Sequence, residues 1–261
     1  MSKVRLDSAL AERGLFPSRT AAAASVRAGR VRIGADGPLA AKPGQMVEAE
    51  TELIVIEPPR FVSRGGVKLE NALERLGVDP AGRECLDVGS STGGFTDCLL
   101  QRGAARVAAV DVGYGQLDAG LREDPRVIVM ERRNARELEP ADLPFAPSLI
   151  TADVSFISLE KVLPALIRLL APGGELLAMV KPQFELGPNR VGRGGVVRSA
   201  DDRREAVLAV AQAMSDAGLT VVGFAPSGLP GPKGNRETFV WASAGGSGPK
   251  DPEALLGQVA V

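Results

Sequence analysis

The chain has 261 residues, 44% of them hydrophobic and 24% charged, with two cysteines, no histidine and a formal net charge of −1. That composition is globular, and the length suffices for two unequal domains with separate cores. The lack of histidine excludes a Ser-His-Asp triad, a Cys-His pair and a histidine-held metal, and two cysteines are too few for a metal cluster, so no metal is expected to be required.

At the start, Leu6, Ala9, Leu10 and Leu15 suit a short helix that Gly14 stops. Ser18 caps a second helix over residues 19–28, closed by Gly29. Val31 and Ile33 then alternate with charge into a turn at Ala35-Asp36-Gly37-Pro38, and residues 53–56 form another strand. Residues 1–47 carry eight basic side chains against three acidic ones, so the remainder of the chain is net acidic. A small basic module joined to an acidic one suits docking on a polyanion.

Residues 59–63 look like a linker, stiffened by Pro58-Pro59, and Ser63 or Arg64 opens a helix that carries Lys68, Leu69, Ala72, Leu73 and Leu76 and ends at Gly77. Strand-like runs at 85–88, 107–110, 127–130, 149–152, 176–180, 221–224 and 239–241 alternate with helix-like ones at 96–101, 117–121, 159–170 and 203–217. Such alternation predicts an α/β fold with a doubly wound, mostly parallel sheet. Residues 244–261, rich in Gly, Ser and Pro, read as a flexible tail. The expected organisation is a basic domain over 1–58, the linker, an α/β domain over 64–243 and the tail. No window reaches the roughly 18 apolar residues of a membrane span, and no apolar run follows the first basic residues. A cytoplasmic protein with no membrane partner is therefore expected; the sequence does not fix the oligomeric state, for which a monomer is the expectation.

The strand Cys85-Leu86-Asp87-Val88 runs into Gly89-Ser90-Ser91-Thr92-Gly93-Gly94-Phe95 and then a helix. Glycines at a strand-to-helix turn let a ligand approach the backbone at the carboxyl edge of the sheet, and the spacing is not that of a dinucleotide fold. The next strand ends at Asp111, whose carboxylate suits two ribose hydroxyls; Asn134 and Asp153 follow the third and fourth strands on the same edge. Adenine or cytosine amino methylation usually needs an Asn/Asp-Pro-Pro-aromatic clamp, where this chain has Asp153-Val154-Ser155-Phe156. Carbon methylation of a pyrimidine needs a thiolate, and Cys85 and Cys98 lie within a strand and a helix.

The Asp-Val-Gly-Ser-Ser-Thr-Gly-Gly-Phe-Thr turn, followed by Val-Asp-Val-Gly-Tyr-Gly-Gln-Leu, resembles the methyltransferases of the FtsJ type. The resemblance implies a Rossmann-like domain binding S-adenosyl-L-methionine, with Gly89, Ser90, Thr92, Gly93, Gly94, Phe95, Asp111, Tyr114, Asn134 and Asp153 around it. Ser90 stands where an alanine is expected. These enzymes use a Lys-Asp-Lys-Glu tetrad, which Lys68, Asp153, Lys181 and Glu237 supply in order. A ribose hydroxyl is a poor nucleophile, so Lys181, at the end of the fifth strand, is the candidate to activate it. Lys68 and Glu237 would tune and orient Lys181, and Asp153 would orient both Lys181 and the methyl donor.

Arg5-Leu6-Asp7, Gly14-Leu15, Ser18-Arg19, Ala23 and Gly29-Arg30-Val31 resemble the S4-type RNA-binding domain. Arg5, Arg19, Arg27, Arg30 and Lys42 are candidate phosphate contacts. Arg132 is a further phosphate candidate and Arg190 a further RNA contact, Phe156 is a platform for a flipped base, and the loop 187–195, with Arg190 and Arg193, is a lid. Together the two parts resemble the TlyA family, called hemolysins in some members. Membership implies cytidine 2′-O-methylation of 16S and 23S ribosomal RNA, with ribosomal subunits as partners. In the linker the family's Arg-x-Trp-Val is Arg60-Phe61-Val62 preceded by Pro59, which departs from the pattern. A membrane-lytic protein and a non-catalytic assembly factor that binds RNA are the alternatives. Liposome leakage would favour the first, and the absence of methyl transfer the second.

Overall fold

The computed structural model describes residues 3–57, 59–231, 233–246, 251–257 and 259. The chain divides into two compact units, residues 1–60 and 61–261.

The first unit opens with β1 (Lys3–Arg5), followed by α1 (Leu6–Glu12), α2 (Arg19–Arg27), β2 (Val31–Ile33), β3 (Met46–Glu48) and β4 (Leu53–Val55). β1 pairs antiparallel with β3, and β2 with β4. Ser18 caps α2 by accepting the Ala21 N–H, as its position predicts. Leu6, Ala9, Leu10, Ala22, Val26, Val31 and Val47 form a small core. Leu15 does not join it: α1 ends at Glu12, and Leu15 is exposed.

The second unit contains α3 (Arg64–Leu76), β5 (Glu84–Val88), α4 (Gly94–Gln101), β6 (Arg106–Asp111), α5 (Ala119–Glu123), β7 (Val127–Glu131), β8 (Leu149–Ala152), α6 (Leu163–Leu169), β9 (Glu175–Val180), α7 (Pro182–Glu185), α8 (Ala200–Asp216), β10 (Thr220–Pro226), β11 (Thr238–Ser243) and α9 (Pro252–Leu256). The sheet order is β10-β11-β9-β8-β5-β6-β7. All pairs from β9 to β7 are parallel, while β11 runs antiparallel to both of its neighbours. Alternate residues of each strand go to opposite faces. Leu86 and Val88 join Leu163, Leu166, Val210 and Met214 on one side. Cys85 joins Leu69, Leu73, Phe95 and Leu99 on the other. Each fully buried leucine contributes about 1.5–3 kcal/mol, so both faces are firmly covered.

Two expectations change here. Phe61 and Val62 belong to the second unit rather than to a free linker. Phe61 is buried where Gly66 leaves room for its ring, and the Val62 N–H donates to Asp97 at 2.8 Å. The expected tail contains α9, whose Leu256 is fully buried in the α6–α8 face; residues 247–250, 258, 260 and 261 of that tail lie outside the described residues. Among the described residues, no helix is long and apolar enough to cross a membrane.

The strand order places β5 between β6 and β8. After β5 the chain builds the sheet first in one direction and then in the other, which opens a crevice at the carboxyl ends of β5 and β8.

Candidate active site

Three neighbouring cavities lie along this edge. The first, of about 490 Å³, is bounded by Gly89, Asp111, Val112, Asn134, Asp153 and Ile157. The second, of about 420 Å³, is bounded by Lys68, Gly89, Ser90, Thr92, Gly94, Phe95 and Asp153. A third, of about 430 Å³, has Ser155, Phe156, Lys181, Phe184 and Glu237 in its wall. Asp153 faces the first two, while Ser155 and Phe156 face the first and third.

The turn after β5 fits closely against its surroundings. Gly89 has φ +83°, and a Cβ there would meet the Asp153 carbonyl at 2.4 Å; a Cβ on Gly94 would meet Ser63 Oγ at 2.2 Å. These glycines therefore serve close backbone approach within the protein, and the cavity follows from that packing. Gly93 faces Leu117 and Leu121 rather than a cavity. Asp111, at the tip of β6, accepts the Ser91 N–H at 2.8 Å on one oxygen and the Gly113 N–H at 2.7 Å on the other. Its carboxylate is thus held in place with lone pairs to spare.

The four tetrad candidates form two ion pairs, Lys68 with Glu237 and Lys181 with Asp153. Lys181 also donates to Ser155 Oγ at 2.8 Å. Lys68 and Asp153 bound the second cavity, and Lys181 and Glu237 the third, so the pairs lie side by side across the crevice. Ser155 was legible only as part of the Asp153-Val154-Ser155-Phe156 run, and its hydroxyl is what the sequence alone did not single out.

Behind this group, Asp87 is fully buried, accepting from Thr96 Oγ1 at 2.7 Å and from Thr151 Oγ1 at 3.4 Å. Burial pushes its carboxyl up to about 7 and the nearby Asp153 adds to the rise, while the Thr96 and Thr151 hydroxyls oppose it. The folded value lies above the unfolded one of about 3.9. The folded state therefore keeps a proton that the unfolded state has lost, and Asp87 makes stability fall as pH rises between about 4 and 7. Asp87→Asn, which still accepts from Thr96, is expected to flatten that slope and raise the melting temperature at pH 8, as thermal unfolding at pH 5 and 8 will show. Both cysteines are buried, and burial pushes the Cys85 thiol up to about 12, which fits an inert structural thiol.

Of the other predicted residues, Tyr114 and Arg190 lie outside the cavity walls, and Phe156 stands exposed at their edge. Tyr114 is 67% exposed and outside the cavity walls, with the Arg132 guanidinium 4.1 Å above its ring. Arg190 pairs with Asp202 and Glu205 on α8, which holds the guanidinium charged. Phe156 is 91% exposed with φ +63°, its ring 5.2 Å from Phe184. In the first unit, Arg5 grips the buried Asp7, with Arg19 at 3.7 Å, while Arg27, Arg30 and Lys42 are exposed. Arg133 and Arg136, at the mouth of the first cavity, were not singled out in sequence, because only the fold turns them to this edge.

The FtsJ-like methyltransferase family model matches residues 61–244. The 16S/23S rRNA (cytidine-2'-O)-methyltransferase TlyA of Mycobacterium tuberculosis is 50% identical to the chain, over 92% of this chain and 89% of that protein. The chain belongs to the FtsJ-like methyltransferases, in the TlyA family. Hemolysin A of Brachyspira hyodysenteriae is 37% identical over 90% of this chain and 97% of its own length. A Streptococcus thermophilus chain solved under a hemolysin name is 40% identical, with a TM-score of 0.74 over 99% of this chain and 96% of that one. In this FtsJ-like methyltransferase the acidic tip of β6, the glycine turn and the two lysine–carboxylate pairs occupy one sheet edge.

Proposed function

We propose that this protein uses S-adenosyl-L-methionine to methylate the 2′-hydroxyl of cytidine in 16S and 23S ribosomal RNA, in the cytoplasm. The observation that carries the reading is the Lys181 amine, held by Asp153 and Ser155 where the glycine-turn cavities adjoin an aromatic-walled one. The names of the 50%-identical TlyA and of the FtsJ-like family agree with it.

The donor set suits the cofactor. Asp111 has free lone pairs for ribose hydroxyls, Val112, Ile157 and Val162 offer apolar walls for a base, and Ser90 and Thr92 give the second cavity a polar lining. When bound, S-adenosyl-L-methionine supplies an electrophilic methyl group. Lys181 first gives the proton of its ion pair to Asp153 or to water; its Nζ then takes the 2′-hydroxyl proton as the oxygen gains the methyl group and the methyl–sulfur bond breaks, with Asp153 and Ser155 aiming the amine. Lys68 and Glu237 fix the opposite wall. Phe156, exposed at the shared edge, stacks on the extruded target base. Arg132, stacked on Tyr114, contributes to the same RNA face. The basic first unit is read as an S4-type module, with Arg5, Arg19, Arg27, Arg30 and Lys42 toward phosphates. Arg190 is left out of this surface because two carboxylates already neutralise it.

The test is transfer of labelled methyl from S-adenosyl-L-methionine to separated ribosomal subunits, followed by mapping of the modified nucleotide. Label on a cytidine ribose is expected. Label on a base overturns the Lys181 chemistry, and no label on either subunit overturns the function.

A further inference from the structure

The loop after β8 and the segment after β9 run side by side and are joined at three successive levels. Lys181 meets Asp153 and Ser155. Phe184 meets Phe156, ring to ring at 5.2 Å. Glu185 accepts the Ser158 hydroxyl at 2.7 Å on one oxygen and the Leu159 N–H at 3.1 Å on the other. The first level belongs to the proposed chemistry and the second to the proposed base platform. The third touches neither.

We propose that Glu185 is a positioning residue, a latch whose two hydrogen bonds hold the Phe156 platform in register with the Lys181 amine. The proposal rests on the assignment of Phe156 and Lys181 above. Phe156 sits at φ +63°, a left-handed conformation that a bulky residue adopts only when its surroundings impose it. Its side chain is 91% exposed, so burial does not supply that constraint. Phe184 touches the ring at 5.2 Å without covering it, and the chain two residues beyond Phe156 is fastened by Glu185. The carboxyl is largely withdrawn from water. Burial pushes it above the usual carboxylate range, Glu160 nearby adds to this, and the Ser158 and Leu159 donors oppose it. A carboxyl kept at such a place is costly unless both oxygens are used, as they are here.

Glu185→Ala is expected to raise the KM for ribosomal RNA at least tenfold with the stoichiometry and affinity of S-adenosyl-L-methionine binding unchanged. It is also expected to speed hydrogen exchange at the Leu159 amide. Glu185→Gln should restore both, because its amide oxygen can accept from Leu159 while its amide nitrogen donates to Ser158 Oγ. A Glu185→Ala protein with wild-type KM and wild-type exchange overturns the latch, and so does a Glu185→Gln protein as impaired as the alanine variant. If Glu185→Ala no longer binds the cofactor, Ser158→Ala decides: faster Leu159 exchange with a raised KM supports the latch, and unchanged values overturn it. The exchange measurement needs no RNA. An unmethylated ribosome with the wild-type protein therefore defeats the functional reading alone, while unaltered exchange defeats the latch alone.

Discussion

Lys181→Ala is expected to lower the rate of methyl transfer by about 100- to 10,000-fold, the range lost with a general base, while leaving cofactor affinity unchanged. The asymmetry follows from where the amine points. It lines the third cavity and is not itself among the residues around Asp111 and the glycine turn, which it touches only through Asp153 and Ser155. Asp153 would lose its partner at Oδ1, which is buried, although the side chain as a whole is 24% exposed, so water replaces what is removed only if it enters the space the lysine leaves. Lys181→Arg separates two ways of helping the hydroxyl. A guanidinium keeps the positive field yet does not give up its proton near neutral pH. If proton acceptance matters, Lys181→Arg is nearly as slow as Lys181→Ala. Single-turnover rates with mapped ribosomal RNA, beside equilibrium titration of the cofactor, measure both quantities, and an arginine variant close to wild type would reduce Lys181 to an electrostatic role.

The sequence carried the scaffold well wherever local chemistry decides it. Ser18 and Ser63 cap their helices, Gly77 ends α3 at φ +70°, and the apolar runs of β5, β8 and β9 are buried strands. It carried less where the partner is distant. β1 and β3 are three-residue strands defined by pairing with each other, too short for the alternation of Lys3-Val4-Arg5 to mark a strand. The reversal of β11 leaves no mark in its own residues, since an antiparallel strand buried on both faces reads like a parallel one. α9 was hidden by the glycines and prolines around it, although Leu255 and Leu256 were the apolar signal. At the site, residues fixed by strand ends fell together: Asp111, Asp153 and Lys181 face one edge because parallel strands point the same way. Side-chain direction was not legible, so Tyr114 was expected beside a ligand and instead lies outside under Arg132. Arg190 was expected to face RNA, because nothing local announces that Asp202 and Glu205 come round on α8.

Lys68 poses the opposite case to Lys181, a loss expected in stability as well as in rate. Its side chain is 8% exposed and that of its partner Glu237 1%. An exposed ion pair of this kind is worth about 0–1 kcal/mol, but removing one member of a buried pair strands the other charge and costs about 3–5 kcal/mol. Lys68→Met is therefore expected to lower the urea midpoint substantially, with Glu237 left unpaired between α3 and β11. Lys68→Met combined with Glu237→Leu should recover most of the stability, because two apolar side chains fill the same space without an uncompensated charge. It should not recover methyl transfer. If the double variant is as stable as the wild type and inactive, the pair contributes to the crevice rather than to the fold, which is the role its place between the second and third cavities suggests. If Lys68→Met costs less than about 1 kcal/mol, the surface-pair value, water reaches Glu237 and the pair does not close the wall of the crevice.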